Sequence, residues 1–231
     1  MAEALILAIS TFLGASLASF LFSLVHYPIR SLFRRSYCDL CHSVLKWYQL
    51  IPIVSSLIFR HQCRCGHRPS FKYGFGELIL GLIFLINVCV FGVSYPGFLV
   101  NFLCLIGFYT SVVDLKTKKV PLNSLILIGV MGCAWVYHYQ RLPWSVLGVI
   151  SVIVFIFFIE KWFIKREKAI GEGDILLLLA AGIWLPWESL PEFLFLTGLL
   201  GVLTSFMYKR RSGFPFAPAI IISLWLTLLL S

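Results

Sequence analysis

Charged residues are scarce in this sequence. Asp, Glu, Lys and Arg account for 13% of the 231 residues, while hydrophobic residues account for 60% and include 21 phenylalanines. This number of charges is too small to cover the surface of a water-soluble protein. The composition therefore excludes a soluble globular protein. The sequence predicts an all-α, polytopic integral membrane protein.

Runs of about 20 apolar residues, the length that crosses a bilayer as a helix, recur along the chain. We place eight spans, the sixth of them short, at about 4–26, 74–93, 97–114, 120–139, 143–160, 174–187, 190–208 and 214–230. The first run has no Lys or Arg before it and exceeds the ~7–15 apolar residues of a cleavable signal, so we expect it to be retained. Pro215 and Pro218 fall inside the last run, where they should bend or interrupt the helix.

Basic residues outnumber acidic residues by 19 to 10, which gives a net charge of +9. All the lysines and arginines except Arg141 fall in four clusters, within residues 30–72, 116–119, 161–168 and 209–211. Eight spans place these clusters on one side of the membrane, as the positive-inside rule requires of the cytoplasmic face, and leave the N-terminus outside. Contact with anionic membrane lipid explains the charge, so we predict no nucleic-acid partner.

Residues 27–73 form one long polar segment between the first span, residues 1–26, and a seven-span domain, residues 74–231. The segment carries four of the seven cysteines: Cys38, Cys41, Cys63 and Cys65. Thiols on the cytoplasmic side are more typical of metal binding than of a disulfide, and four thiolates would complete a tetrahedral zinc site that folds this loop. A histidine could replace one thiolate, and four unmetallated thiols are the alternative; the candidate histidines are His42, His61 and His67.

Two aspartates stand where apolar runs meet the cytoplasmic side. Asp114 ends the third run, and Asp174 opens the sixth run in the sequence Gly171-Glu172-Gly173-Asp174. A carboxylate at the membrane edge is costly to desolvate and therefore marks a functional site. Glu77 enters the second run in the same way; it could support such a site, or it could pair with Lys72 or another base.

A pair of aspartates can perform aspartyl protease chemistry. Two carboxyls that share a proton titrate as a unit, with one ionised to activate water and the other protonated to polarise the scissile carbonyl. Gly171 and Gly173 would supply a flexible backbone without side chains, against which an extended substrate strand could lie. The five histidines are remote from both aspartates in sequence, and there is no nucleophile elbow, so other catalytic sets have little support.

The alternative for both aspartates is a structural role. Asp174 is well placed to cap the N-terminus of a helix, and Asp114 could pair with the lysines that follow it. Asp114, however, stands at a predicted helix C-terminus, where the helix dipole disfavours an anion. A structural role therefore explains Asp114 less well than a catalytic role.

Taken together, the motifs resemble those of the bacterial prepilin peptidases, or type IV leader peptidases, which belong to the Gly-x-Gly-Asp class of membrane aspartyl proteases. The resemblance covers about residues 13–179. It includes, in the order found in that family, the cysteine loop, Trp47 to Pro52, Glu77 to Phe84, Asp114 to Asn123 and Gly171 to Asp174.

This resemblance implies that Asp114 and Asp174 are the catalytic pair and that the substrates are type IV prepilins or pseudopilins in a bacterial cell membrane. Such enzymes remove a short basic leader at the cytoplasmic face, usually just after a glycine. Many also methylate the new N-terminus with S-adenosylmethionine, and the cysteine-rich loop has been linked with that activity. The resemblance does not distinguish competence, adhesion and secretion systems.

Two features depart from that family. The stretch from Ser19 to Pro28 lacks the Asn and the Arg that commonly occur there, and the second cysteine pair is one residue shorter than usual. These differences bear on the metal site and on methylation, whereas the aspartate motifs are intact. Two other hypotheses are a proton-coupled transporter, whose acids should lie nearer the bilayer midplane, and a non-catalytic membrane assembly factor.

Overall fold

The computed structural model describes residues 2–26, 38, 41, 43–44, 51–52, 65, 71–140, 142–163, 171–207 and 214–231. Within these ranges the regular elements are all helices, and no β-strand is present, which confirms the all-α prediction. The chain divides into two compact units, residues 1–97 and residues 98–231. Most of the predicted cysteine loop, residues 27–73, lies outside the described residues, so its boundaries stay a prediction.

Within the described residues, eight α-helices overlap the eight apolar runs. They are α1 (Ala2–His26), α2 (Phe71–Phe91), α3 (Tyr95–Thr117), α4 (Leu122–Tyr139), α5 (Leu142–Phe163), α6 (Glu172–Gly182), α7 (Leu190–Met207) and α8 (Ala217–Leu230), with a short 3-10 helix, Trp187–Ser189, before α7. Among the described residues, five helical segments are long and apolar enough to cross a membrane. The protein is therefore a multi-pass membrane protein.

Helix α6 is the short sixth run. It has 11 residues, and a rise of about 1.5 Å per residue gives it a length of about 17 Å, well below the ~30 Å of a hydrocarbon core. Helix α6 is therefore too short to cross the hydrocarbon core by itself. Asp174 lies in its first turn.

The last helix begins later than the sequence predicts. Helix α8 starts at Ala217, so Pro215 precedes it and Pro218 lies in its first turn. Proline is favoured at this position because the first N–H groups of a helix have no partner within the helix. The prediction that both prolines bend or interrupt the last span is therefore wrong, since they mark its start.

The first unit is built on close packing of α1 against α2. A Cβ placed on Gly14 would lie 2.7 Å from the Leu80 carbonyl oxygen, and one placed on Gly81 would lie 3.0 Å from the Thr11 carbonyl oxygen. Small residues at these two points allow the helix backbones to approach each other, as is common between membrane helices.

In the second unit, α6 packs against α4, α5 and α8. The chain just after α6 is fixed to α4 by Trp184, which is buried and donates a hydrogen bond from Nε1 to the Ile128 carbonyl oxygen over 3.0 Å. Gly132 makes room for the indole ring, because a Cβ there would lie 2.9 Å from it. The far end of α6 is thus held in place, and its first turn carries the Gly-x-Gly-Asp motif.

Candidate active site

Asp114 lies in the last turn of α3, and its side chain is buried, with 4% of the residue exposed. Its Oδ2 accepts a hydrogen bond from the backbone N–H of Ala217 over 3.1 Å, and the backbone of Phe216 also hydrogen-bonds the carboxylate. Both donors belong to the start of α8. A helix N-terminus carries unpaired N–H groups and a partial positive charge, so this contact offsets part of the cost of burying an anion.

The end of α3 is set by the backbone at Lys118. Its φ of 55° is in the left-handed region, and its N–H donates to the Asp114 carbonyl oxygen over 2.8 Å. A left-handed residue of this kind is a common way to end a helix. The chain then passes through Val120 to Pro121, which precedes α4.

Asp174 is the third residue of α6, and the N-cap residue is Gly171. The structural alternative that Asp174 itself occupies the N-cap position is therefore wrong. A Cβ placed on Gly171 would lie 3.1 Å from Asp174 Oδ2, so the carboxylate folds back over the residue that caps the helix. An acidic side chain at this third position commonly reaches back to the N-cap backbone.

Gly173 brings the first turn of α6 against the segment between α3 and α4. A Cβ placed on Gly173 would lie 3.1 Å from Val120 Cβ and 3.3 Å from Val120 Cγ2, which is closer than ordinary packing allows. Neither motif glycine needs a left-handed backbone, since positive φ among the described glycines occurs only at Gly92. At both positions the neighbouring atoms leave little room for a side chain, which is a physical reason for glycine there. The sequence did not show this reason.

The two carboxyl groups lie close enough for the charge of Asp114 to change the pKa of Asp174. Burial, and after it the negative charge of Asp114, raises the pKa of Asp174 to about 6, while a hydrogen bond from the Gly171 backbone lowers it. Asp174 lies outside the five long apolar segments. The fold therefore brings together the two aspartates that the sequence singled out, 60 residues apart in the printed chain, and gives them different surroundings.

The start of α8 is the part of the site that the sequence did not indicate. Neither Phe216 nor Ala217 carries a polar side chain, so no motif points to them. A proline in the first turn is a known signal for a helix start, and Pro218 could have located the helix end. That this end faces Asp114 follows only from the three-dimensional structure.

Glu77 is buried in α2 and belongs to the first unit. Its predicted supporting role stays a prediction.

The first unit also holds a thiol cluster, which we define as Cys38, Cys41 and Cys65. The three sulfur atoms all lie within 4.8 Å of one another, and the Cys38 and Cys65 sulfurs are 3.7 Å apart. Thiolates bound to one tetrahedral zinc ion at ~2.3 Å would be about 3.8 Å apart, whereas a disulfide needs ~2.0 Å. The cluster can hold a metal ion; the predicted fourth ligand, Cys63, lies outside the described residues.

Comparison with known proteins gives two family matches. Residues 12–91 match the bacterial peptidase A24 N-terminal domain, and residues 101–206 match the type IV leader peptidase family. The second match contains both Asp114 and Asp174, and the first contains the thiol cluster and Glu77. No solved structure matches the chain.

Curated relatives of this chain are named as enzymes that process prepilins or prepilin-like proteins. A prepilin leader peptidase/N-methyltransferase of Bacillus subtilis is 30% identical over 195 residues, which cover 80% of this chain and 77% of the relative. Proteins with the same name from Neisseria gonorrhoeae and Burkholderia pseudomallei are 26% and 28% identical; the matches cover 83% and 80% of this chain, and 69% and 63% of those relatives. The chain belongs to the type IV leader peptidase family, which confirms the resemblance seen in the sequence.

Proposed function

We propose that this protein is a prepilin peptidase, an aspartic endopeptidase that removes the leader from type IV prepilins or pseudopilins. The observation that carries the proposal is the pair formed by Asp114 and Asp174, two electrostatically coupled carboxyls at the ends of α3 and α6 in a chain of this family. The names of the relatives support the choice of substrate.

The different surroundings of the two carboxyls give each a role. Asp114, held by the N–H groups of α8, is the ionised partner and takes a proton from water as the water oxygen attacks the scissile carbonyl carbon. Asp174 is protonated and gives its proton to the carbonyl oxygen. When the tetrahedral intermediate collapses, Asp114 passes its proton to the leaving nitrogen and Asp174 recovers its own, so the pair returns to its starting state.

The charge distribution supports a cytoplasmic location for this chemistry. Both aspartates lie next to lysine-rich segments, and the positive-inside rule assigns such segments to the cytoplasm. We therefore propose a multi-pass protein of the bacterial cytoplasmic membrane with its N-terminus outside. The basic loops contact anionic lipid, and nucleic acid has no part in the proposal.

A cleavage assay tests the function. A type IV prepilin is co-expressed with this protein, with the double variant Asp114→Asn/Asp174→Asn, or with an empty vector, and loss of the leader is followed on a gel and by mass spectrometry of the product. We expect leader loss only with the wild-type protein. An unprocessed prepilin beside abundant wild-type protein would overturn the proposal.

The same mass measurement tests methylation. The printed names of the relatives include an N-methyltransferase activity, so we propose that this protein also transfers a methyl group from S-adenosylmethionine to the new N-terminus. A methylated product is heavier than the unmodified one by one methyl group, and the added mass should appear only on the cleaved pilin.

We further propose that the thiol cluster, completed by Cys63, binds a structural zinc ion. Purified protein should contain roughly one zinc per chain, and Cys38→Ser should lose most of it, because removing one of four thiolates opens the tetrahedral site. Cys133→Ser, at an exposed position in α4, is the matched control and should keep its zinc. Equal zinc in all three proteins, measured by atomic emission, would contradict the zinc site.

The surroundings of Asp174 predict how activity depends on pH. Its pKa is raised from 3.8 to about 6 by burial and by Asp114, so the carboxyl keeps its proton below about pH 6 and loses it as the pH rises through that value. The protonated form is the catalytic one, so kcat/KM for prepilin cleavage should fall by about tenfold per pH unit above this pKa. Restored activity on return to pH 6 is the control for denaturation, and a flat profile from about pH 5 to 8 would contradict this role of Asp174.

A further inference from the structure

The start of α8 has no polar cap of its own. Its N-cap residue is Phe216, and no side chain within the helix end accepts a hydrogen bond from the first N–H groups. Helices usually begin with Ser, Thr, Asp or Asn, whose side-chain oxygen fills this need. Here the oxygen comes from another helix, because Asp114 in α3 accepts the N–H of Ala217 over 3.1 Å.

The position of Phe216 is set by α7. A Cβ placed on Gly201 would lie 2.5 Å from Phe216 Cε2 and 3.2 Å from Cδ2, so the phenyl ring rests directly on the α7 backbone. Phe214 packs against the same ring edge to face, with the ring centroids 5.8 Å apart. Packing of an aromatic ring therefore fixes the helix start that a polar cap would otherwise fix.

A second contact joins α8 to α3. Gly107 lies directly against Ile221, one turn beyond Ala217, where a Cβ on the glycine would collide with the isoleucine side chain. The Ala217 N–H is thus held between an aromatic contact on α7 and a close helix contact on α3. A displaced Phe216 ring would therefore act on the backbone of the neighbouring Ala217, whose N–H reaches Asp114.

We propose that Phe216, seated on Gly201, is a positioning residue that holds the Ala217 N–H against the Asp114 carboxylate during peptide cleavage. The inference rests on the proposed function, because it assigns Asp114 the ionised role. Phe216 acts through its own backbone and that of Ala217, and it needs no contact with the substrate.

The test is Gly201→Ala, with Gly198→Ala as the matched control. Both glycines lie in α7, and a Cβ on Gly198 has no atom within 4 Å, whereas a Cβ on Gly201 displaces the Phe216 ring. Misplacing a catalytic group by about 1 Å can cost 10²-fold in rate. We therefore expect Gly201→Ala to lower kcat by about 10- to 100-fold, with KM for the prepilin changed less than about threefold, and Gly198→Ala to match the wild type.

A size-compensating variant separates positioning from general damage. Leucine is shorter than phenylalanine, so Gly201→Ala/Phe216→Leu should regain most of the kcat that Gly201→Ala loses. If Gly201→Ala does not accumulate in the membrane, Phe216→Ala replaces it, and we expect a kcat about tenfold below the wild type at unchanged KM because the helix start loses its anchor.

The outcomes separate the two proposals. A wild-type protein that cleaves, with Gly201→Ala or Phe216→Ala equally fast, overturns the positioning role alone. A loss that appears in KM, or that the double variant does not relieve, also overturns it, since it shows damage to substrate binding or to the fold. A wild-type protein that does not cleave overturns the proposed function and this inference with it.

Discussion

Asp114→Asn and Asp174→Asn are each expected to lower the rate of prepilin cleavage by at least about 10³-fold. Each change removes one proton-transfer step, and general acid or base catalysis typically contributes 10²- to 10⁴-fold. Asparagine can neither take a proton from water at position 114 nor give one to the carbonyl oxygen at position 174. Because the two carboxyls act as a unit, the double variant should be little slower than either single variant.

The asparagine variants should still fold. The amide oxygen of Asn at position 114 can accept the Ala217 N–H that the carboxylate accepts over 3.1 Å, so the contact between α3 and α8 is kept. Burying a neutral amide in place of a charge also lowers the desolvation cost. We therefore expect wild-type amounts of both variants in the membrane, as judged by immunoblotting.

Glu188→Gln is the matched control. Glu188 is an exposed acid in the 3-10 helix Trp187–Ser189, away from the Gly-x-Gly-Asp motif in sequence, and its neutralisation should leave the cleavage rate within about twofold of the wild type, as is usual for surface changes. If Asp114→Asn or Asp174→Asn cleaved as fast as Glu188→Gln, the two-aspartate mechanism would be wrong and the assembly-factor hypothesis would gain support.

The sequence predicted the helices well because a membrane helix can be recognised by the length and hydrophobicity of its apolar run. All eight apolar runs became helices, including the short α6. The largest boundary error was at the end of α6, which stops at Gly182 although the predicted run continues to residue 187. The start of α8 was also misplaced, since residues 214–216 precede the helix. Hydropathy continues through Phe214 and Phe216, but a proline in the first turn sets the true start, and that signal is local backbone chemistry rather than composition.

The pairing of Asp114 with Asp174 was also predictable, since both acids stand at the ends of apolar runs, next to lysine-rich segments. What the sequence could not show is the surroundings of each carboxyl. The Ala217 N–H reaches Asp114 only because α8 packs against α3, and Gly173 meets Val120 only because α6 starts beside the segment after α3. Such contacts join residues that no periodicity connects.

Gly173→Val is expected to lower kcat for prepilin cleavage by about 100-fold or more. A Cβ at this position would already lie 3.1 Å from Val120 Cβ, so a branched side chain must push the first turn of α6 away from the segment that follows Asp114. Asp174 moves with that turn, and a displacement of about 1 Å between catalytic groups is enough to cost 10²-fold.

Gly129→Val provides the control, because the nearest atom to a Cβ on Gly129 is Ile183 Cδ1 at 3.9 Å, an ordinary contact with the end of a flexible side chain. Both changes put a β-branched residue into a helix, so their intrinsic helix cost is similar, and only Gly173→Val should lose activity. Michaelis–Menten analysis distinguishes two roles for Gly173. A fall in kcat at constant KM indicates displacement of Asp174, whereas a rise in KM at constant kcat indicates that the backbone at Gly173, which has no side chain, receives the substrate strand. Equal activity of the two variants would remove Gly173 from the site.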